Sequence, residues 1–136
     1  MNAKELLEKA TEARINAYAP YSDFKVGAAL LCKSGKIYLG CNVENAVFSA
    51  TNCAERTAFF SAIAAGEREF VAIAVVGGKG DSPSGECAPC GVCRQVMAEF
   101  CDGDFLVLLG SSEQYETYPL SQLLPLAFSS GQITAR

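Results

Sequence analysis

Cys53, Cys87, Cys90 and Cys93 carry the thiols of this chain best spaced for chemistry, and Glu55 stands two positions after the first of them. Three thiolates on a zinc ion leave one tetrahedral position open, and a nearby carboxylate that is not a ligand can then move protons. Cys87-Ala88-Pro89-Cys90 has the i, i+3 spacing with which a turn entering a helix grips one ion, while Cys53 must arrive from a second helix. On this reading Cys53, Cys87 and Cys90 hold the metal. Glu55 accepts a proton from water at the open position and delivers it to substrate.

Cys93 repeats the spacing and opens an alternative, a closed four-cysteine site that would be structural and inert. Glu55 would then be an ordinary first-turn glutamate favoured by the helix dipole. The preferred expectation keeps Cys93 as a packed or nearby thiol, because Cys90 and Cys93, one helical turn apart, suit a single ion less well once Cys87 is bound. Two helix N-termini, with Arg56 hydrogen-bonding the sulfurs, would offset the charge of three thiolates. Cys32, Cys41 and Cys101 stand alone in apolar stretches and read as small buried hydrophobes.

These groups need elements to hold them. Leu6, Leu7, Ala10, Ala13, Ile15 and Ala17 recur with helical spacing and predict a packing helix over 3–19, stopped before Pro20. The runs 26–31 and 36–40 flank Lys33-Ser34-Gly35 and predict a hairpin. Asn52 is placed to cap a helix over 53–64, closed by Gly66, and Pro89 to open another over 90–100. The apolar runs 71–76 and 105–109 read as buried strands, with a Gly, Ser and Pro-rich loop at 77–85 and a short apolar segment at 121–128. Helix, hairpin, helix, strand, helix, strand makes two crossovers and a mixed sheet with helices on its faces. Both cysteine groups then fall at helix N-termini beyond strand ends, where open α/β sheets place ligands.

The bulk properties narrow the class. At 136 residues, half of them apolar, the chain predicts one ordered domain, 1–136, with a full core. A net charge of −4 without any basic run argues against a nucleic-acid polymer as partner. No apolar run approaches a membrane span, and the polar N-terminus is unlike a signal peptide, so a cytoplasmic protein with reduced thiols is expected.

With Cys53-Ala54-Glu55-Arg56 and Pro89-Cys90-Gly91-Val92-Cys93-Arg94-Gln95 in view, the chain resembles the short, homotetrameric, three-cysteine cytidine deaminases. The resemblance extends over Tyr18-Ala19-Pro20-Tyr21-Ser22, Phe24-Lys25-Val26-Gly27-Ala28-Ala29, Gly40-Cys41-Asn42-Val43-Glu44-Asn45-Ala46 and Leu123-Leu124-Pro125-Leu126-Ala127-Phe128. It implies a three-layer α/β fold with a mixed five-stranded sheet, one zinc ion per subunit, and hydrolysis of cytidine and 2′-deoxycytidine to the uridine nucleosides with release of ammonia. Zinc-activated hydroxide would attack the amino-bearing ring carbon, with Glu55 as proton shuttle.

By the same resemblance Cys53, Cys87 and Cys90 match the zinc ligands and Arg56 the residue that moderates thiolate charge. Asn42 and Glu44 match the groups that bind the ribose 3′-hydroxyl, Phe24 and Ala54 line the substrate, and Phe128 closes the pocket of a neighbouring subunit. Phe48 stands where many relatives carry tyrosine. A glutamate beside the ribose favours a free nucleoside over a nucleotide, since it would repel a phosphate.

Overall fold

Ala28, Leu30 and Cys32 pack into one apolar cluster and Ala29 into another, the two-residue period of a strand covered on both faces. These residues belong to β1 (Phe24–Cys32) in a computed structural model that describes residues 1–134. With β2 (Ile37–Cys41), β3 (Phe70–Lys79), β4 (Leu106–Gly110) and β5 (Tyr115–Pro119) it forms one sheet in the order β2-β1-β3-β4-β5. β3 and β4 run parallel, Ala72 opposite Leu106 and Val75 opposite Leu109, and every other neighbouring pair is antiparallel. The expected mixed five-stranded sheet is present.

Two crossovers build it. The first leaves β2, runs through α2 (Ala54–Ala64) and returns as β3 beyond β1; the second joins β3 to β4 through α3 (Gly91–Phe100). α1 (Ala3–Ala13) covers the opposite face, where Leu6, Leu7 and Ala10 meet Ala29, Ala72, Ala74, Val76 and Leu108. On the α2 and α3 side Phe59 is fully buried, with ring centroids 5.1 Å from Phe70, 5.9 Å from Phe105 and 6.2 Å from Phe100. Burying such a ring contributes about 1.5–3 kcal/mol. The architecture is the expected three-layer α/β.

α1 is shorter than its periodicity predicts, ending at Ala13 with a 3-10 turn over Arg14–Asn16. Backbone pairing ends it: the Tyr18 N–H donates to Asn42 O at 3.0 Å and the Glu44 N–H to Tyr18 O at 2.8 Å. Arg14 is buried, and its guanidinium donates to the carbonyls of Lys25 at 2.9 Å and of Gly78 and Gly80 at 3.0 Å. Those bonds make the burial of a charge tolerable and fasten the end of α1 to β1 and to the exit of β3.

α2 lies unusually close to β2. A Cβ on Gly40 would collide with the Ala54 carbonyl and come within 2.5 Å of the Ala58 N. Glycine at 40 and alanine at 54, 58 and 62 let the helix settle directly on the strand. The segment 121–128 contributes α4 (Leu120–Leu123) before α5 (Ser130–Thr134). Among the described residues no helix is long and apolar enough to cross a membrane.

Candidate active site

Both cysteine-bearing helices begin in the same way. Cys53 is the N-cap of α2 with φ −80° and ψ 156°, and Cys90 the N-cap of α3 with φ −68° and ψ 167°; neither side chain caps its own helix. An N-cap oxygen would bond back to the N2 or N3 amide, whereas these thiols are left to meet each other. The Cys53 and Cys90 sulfurs are 3.7 Å apart and those of Cys90 and Cys93 3.5 Å apart. All three lie within 4.8 Å of one another.

The donor set fits zinc. Zn–S bonds of about 2.3 Å in a tetrahedron place sulfurs about 3.8 Å apart, close to the two separations found. The cluster offers three soft donors and suits one ion per chain with a fourth position open.

The expected ligand set is thereby corrected in one member, with Cys93 in the cluster and Cys87 outside it. Residues 86–90 run without helical structure into the N-cap, so Cys87 and Cys90 are joined by extended chain, which advances about 3.3 Å per residue. Cys90 and Cys93 instead share the first turn of α3, where residues three apart are neighbours on one face. The spacing argument had the right rule on the wrong pair. A closed four-cysteine site is not formed.

Cys87 packs half-buried beside Gly77 and Phe24. A Cβ on Gly77 would lie 2.6 Å from the Cys87 sulfur and 3.1 Å from Phe24 Cε2. Burial, followed by the nearby Glu55 charge, pushes its thiol up to about 11.

Glu55 occupies the first turn of α2 and is only 4% exposed. Burial pushes its carboxyl up to about 7, helped by negative charge on Cys53 and opposed by its own backbone N–H, Arg56 and Cys93. A value near neutrality suits a group that must both take and give a proton. Cys53 moves the other way, held down to about 5 by hydrogen bonding from Cys93 and then from Arg56. Arg56 Nη2 donates to Cys53 Sγ at 3.3 Å, and its Nε is a buried donor with no partner among the described residues.

Val43 and Asn52 pair through both backbone bonds at 2.9 Å, which brings the segment of Asn42 and Glu44 beside the entrance to α2. Asn42 Oδ1 accepts from Val26 N at 2.9 Å and its Nδ2 donates to Phe24 O at 2.8 Å. Glu44 accepts from the Tyr21 and Ser22 amides at 2.9 and 3.2 Å and from the Ser22 hydroxyl. Both residues thus organise the start of β1 and the loop before it. Ala54 is buried in the first turn of α2. Phe128 is 56% exposed, and Gln95 Nε2 holds its carbonyl at 2.7 Å.

Sequence reasoning admits Cys93 only as the fourth ligand of a closed site and prefers it as a nearby thiol, whereas it belongs to the three-sulfur cluster. Its signal was present in the Pro89-Cys90 start of α3, which already placed Cys90 and Cys93 in one helical turn. The role of Ser22 in gripping Glu44 had no signal in spacing.

A thiol cluster at two helix N-termini, with a buried carboxylate beside it on a mixed sheet, defines a zinc-dependent hydrolytic enzyme of the α/β class. Residues 1–109 match the family model described as the cytidine and deoxycytidylate deaminase zinc-binding region. The cytidine deaminase of Sporosarcina psychrophila is 48% identical over 98% of this chain and 96% of its own length. That of Halalkalibacterium halodurans is also 48% identical, over 96% of both. Among solved structures, cytidine deaminase from Burkholderia pseudomallei is 52% identical with a TM-score of 0.86, covering 94% of this chain and all of the other. The enzyme from Mycobacterium tuberculosis gives 37% and 0.81 over 94% and 98%. The chain belongs to the cytidine and deoxycytidylate deaminase family.

Proposed function

We propose that this chain hydrolyses cytidine and 2′-deoxycytidine to the corresponding uridine nucleosides and ammonia, a step of pyrimidine salvage. The observation that carries the reading is the three-sulfur cluster with Glu55 buried beside it. Cys53, Cys90 and Cys93 would hold a zinc ion, which when bound would supply Lewis-acid activation of water. Glu55 takes the proton that water gives up, protonates the ring nitrogen next to the amino-bearing carbon, and assists departure of the amino group as ammonia. One water enters: its oxygen becomes the ring carbonyl, one hydrogen ends on the ring nitrogen, and the other leaves with the amino group as ammonia.

Arg56 and the two helix N-termini supply positive potential that tempers the thiolate charge. Asn42 uses one of its two Nδ2 hydrogens on Phe24 O, and the other is free for a ribose hydroxyl. Glu44, fixed by Tyr21 and Ser22, is an acceptor for the 3′-hydroxyl and a deterrent to a phosphate at that place. Phe24, half-buried, offers apolar surface to the base, whereas Ala54 is fully buried and would act there only by shaping the first turn of α2. Seven free thiols are in keeping with a reducing, cytoplasmic setting.

Exposed Phe48, Leu126 and Phe128 support a homotetramer in which Phe128 closes a neighbour's pocket. Ultraviolet-monitored conversion of cytidine, deoxycytidine and their monophosphates, with zinc quantified in the same sample, tests the whole reading. Zinc-loaded protein inert towards every nucleoside would overturn it. Glu55→Gln should lower kcat by about 10²–10⁴-fold while zinc content and fold persist; normal turnover would remove Glu55 from its role.

A further inference from the structure

We infer that Cys87, freed from metal ligation, forms with Phe24 a wall of the nucleobase pocket and limits what the pocket accepts. The inference rests on the nucleoside reading above. Three observations converge on it. Gly77, near the end of β3, leaves a gap that the Cys87 sulfur and the Phe24 ring share, at 2.6 and 3.1 Å from where a Cβ would stand. The same thiol and the Phe24 ring both pack against the apolar cluster that contains Ala54, so they lie on the α2 side of the sheet and not on the α1 side. It is also only half-buried.

A polarizable sulfur beside an aromatic ring suits contact with a flat, apolar heterocyclic face. Gly77 has a part in this. A Cβ there would stand 2.6 Å from the Cys87 sulfur, so any other residue at 77 would force that side chain to shift. Pockets of this kind discriminate by volume, and one added carbon in an apolar contact changes binding by about tenfold or more.

The test uses zinc-loaded protein and uridine, the expected product, so that binding is read without turnover. Calorimetry first establishes uridine binding to the wild type. Maleimide labelling followed by peptide mass spectrometry then reports each thiol, the metal shielding its ligands. At uridine about ten times its Kd, labelling of Cys87 should slow about tenfold, while that of Cys41 and Cys101 should not change. Cys87→Ala should keep full zinc, and Cys87→Leu should keep zinc but lose about tenfold or more in uridine affinity. Uridine binding with no protection of Cys87, unchanged affinity in Cys87→Leu, or zinc loss in Cys87→Ala would each overturn the assignment. Absence of any nucleoside binding would overturn the functional reading together with it, and is seen in the first step.

Discussion

Cys90 caps the helix in whose first turn Cys93 lies, and their sulfurs stand 3.5 Å apart. One helix end therefore presents two donors in a fixed relation, to which Cys53 adds a third from another helix. Cys93→Ala should lower zinc affinity by more than about 100-fold, beyond the usual cost of losing a group that only supports a ligand. Zinc per chain after dialysis against a graded chelator measures it; full retention would remove Cys93 from the ligand set.

Arg56 reaches Cys53 at 3.3 Å and gives that sulfur positive potential. Arg56→Ala should weaken metal retention or activity by about 10–100-fold, with Arg56→Lys restoring part of the loss because a point charge replaces some of the field but not the geometry. Competition with a chromogenic chelator reads the affinity, and identical curves for all three proteins would contradict the electrostatic role.

The Ser22 hydroxyl holds the Glu44 carboxyl below the usual carboxylate range; partial burial opposes this and the Tyr21 and Ser22 amides reinforce it. A pKa lowered by folding stabilises the native state above the unfolded value, about 4.3, and that contribution is lost as pH falls through the folded value. Glu44→Gln should therefore be less stable than wild type at pH 6–7, and the gap should close as pH drops below about 4. Urea unfolding at several pH values checks it. A gap that widens in acid would reverse the sign and exclude the cause.

Gly40 lies under the first turns of α2, where a Cβ would strike the Ala54 carbonyl. Gly40→Ala should destabilise by about 1–3 kcal/mol through overpacking, and because Glu55 follows Ala54 directly, kcat should fall as well. Denaturant midpoints and steady-state kinetics on one preparation separate the two effects. A stable and fully active variant would show that α2 can move away without disturbing Glu55.

The sequence was readable where pattern and chemistry coincided. The apolar runs of β3 and β4 and the alternation along β1 gave the central strands, and Cys53-Ala54-Glu55 gave a carboxylate beside a thiol in a helical first turn. β5 was missed because Tyr115-Glu116-Thr117-Tyr118-Pro119 is a polar edge strand, mostly exposed, with no buried face to impose a period. α1 was drawn too long because Ile15 and Ala17 continue its spacing, while the force that ends it, pairing of Tyr18 with the chain after β2, is distant in sequence. The Cys87 and Cys93 exchange has a similar origin. An i, i+3 interval has one reach in a helix and another in extended chain, and the residue numbers alone are the same.

Cys53 and Cys90 stand 37 positions apart, with α2 and β3 between them. An ion gripped by both would bind the folded chain and find no such site in the unfolded one, so the free energy of its binding would add to that of folding. The group that supports the chemistry would then also act as a staple through the middle of the polypeptide, so that the enzyme's endurance and its turnover would depend on one and the same occupant.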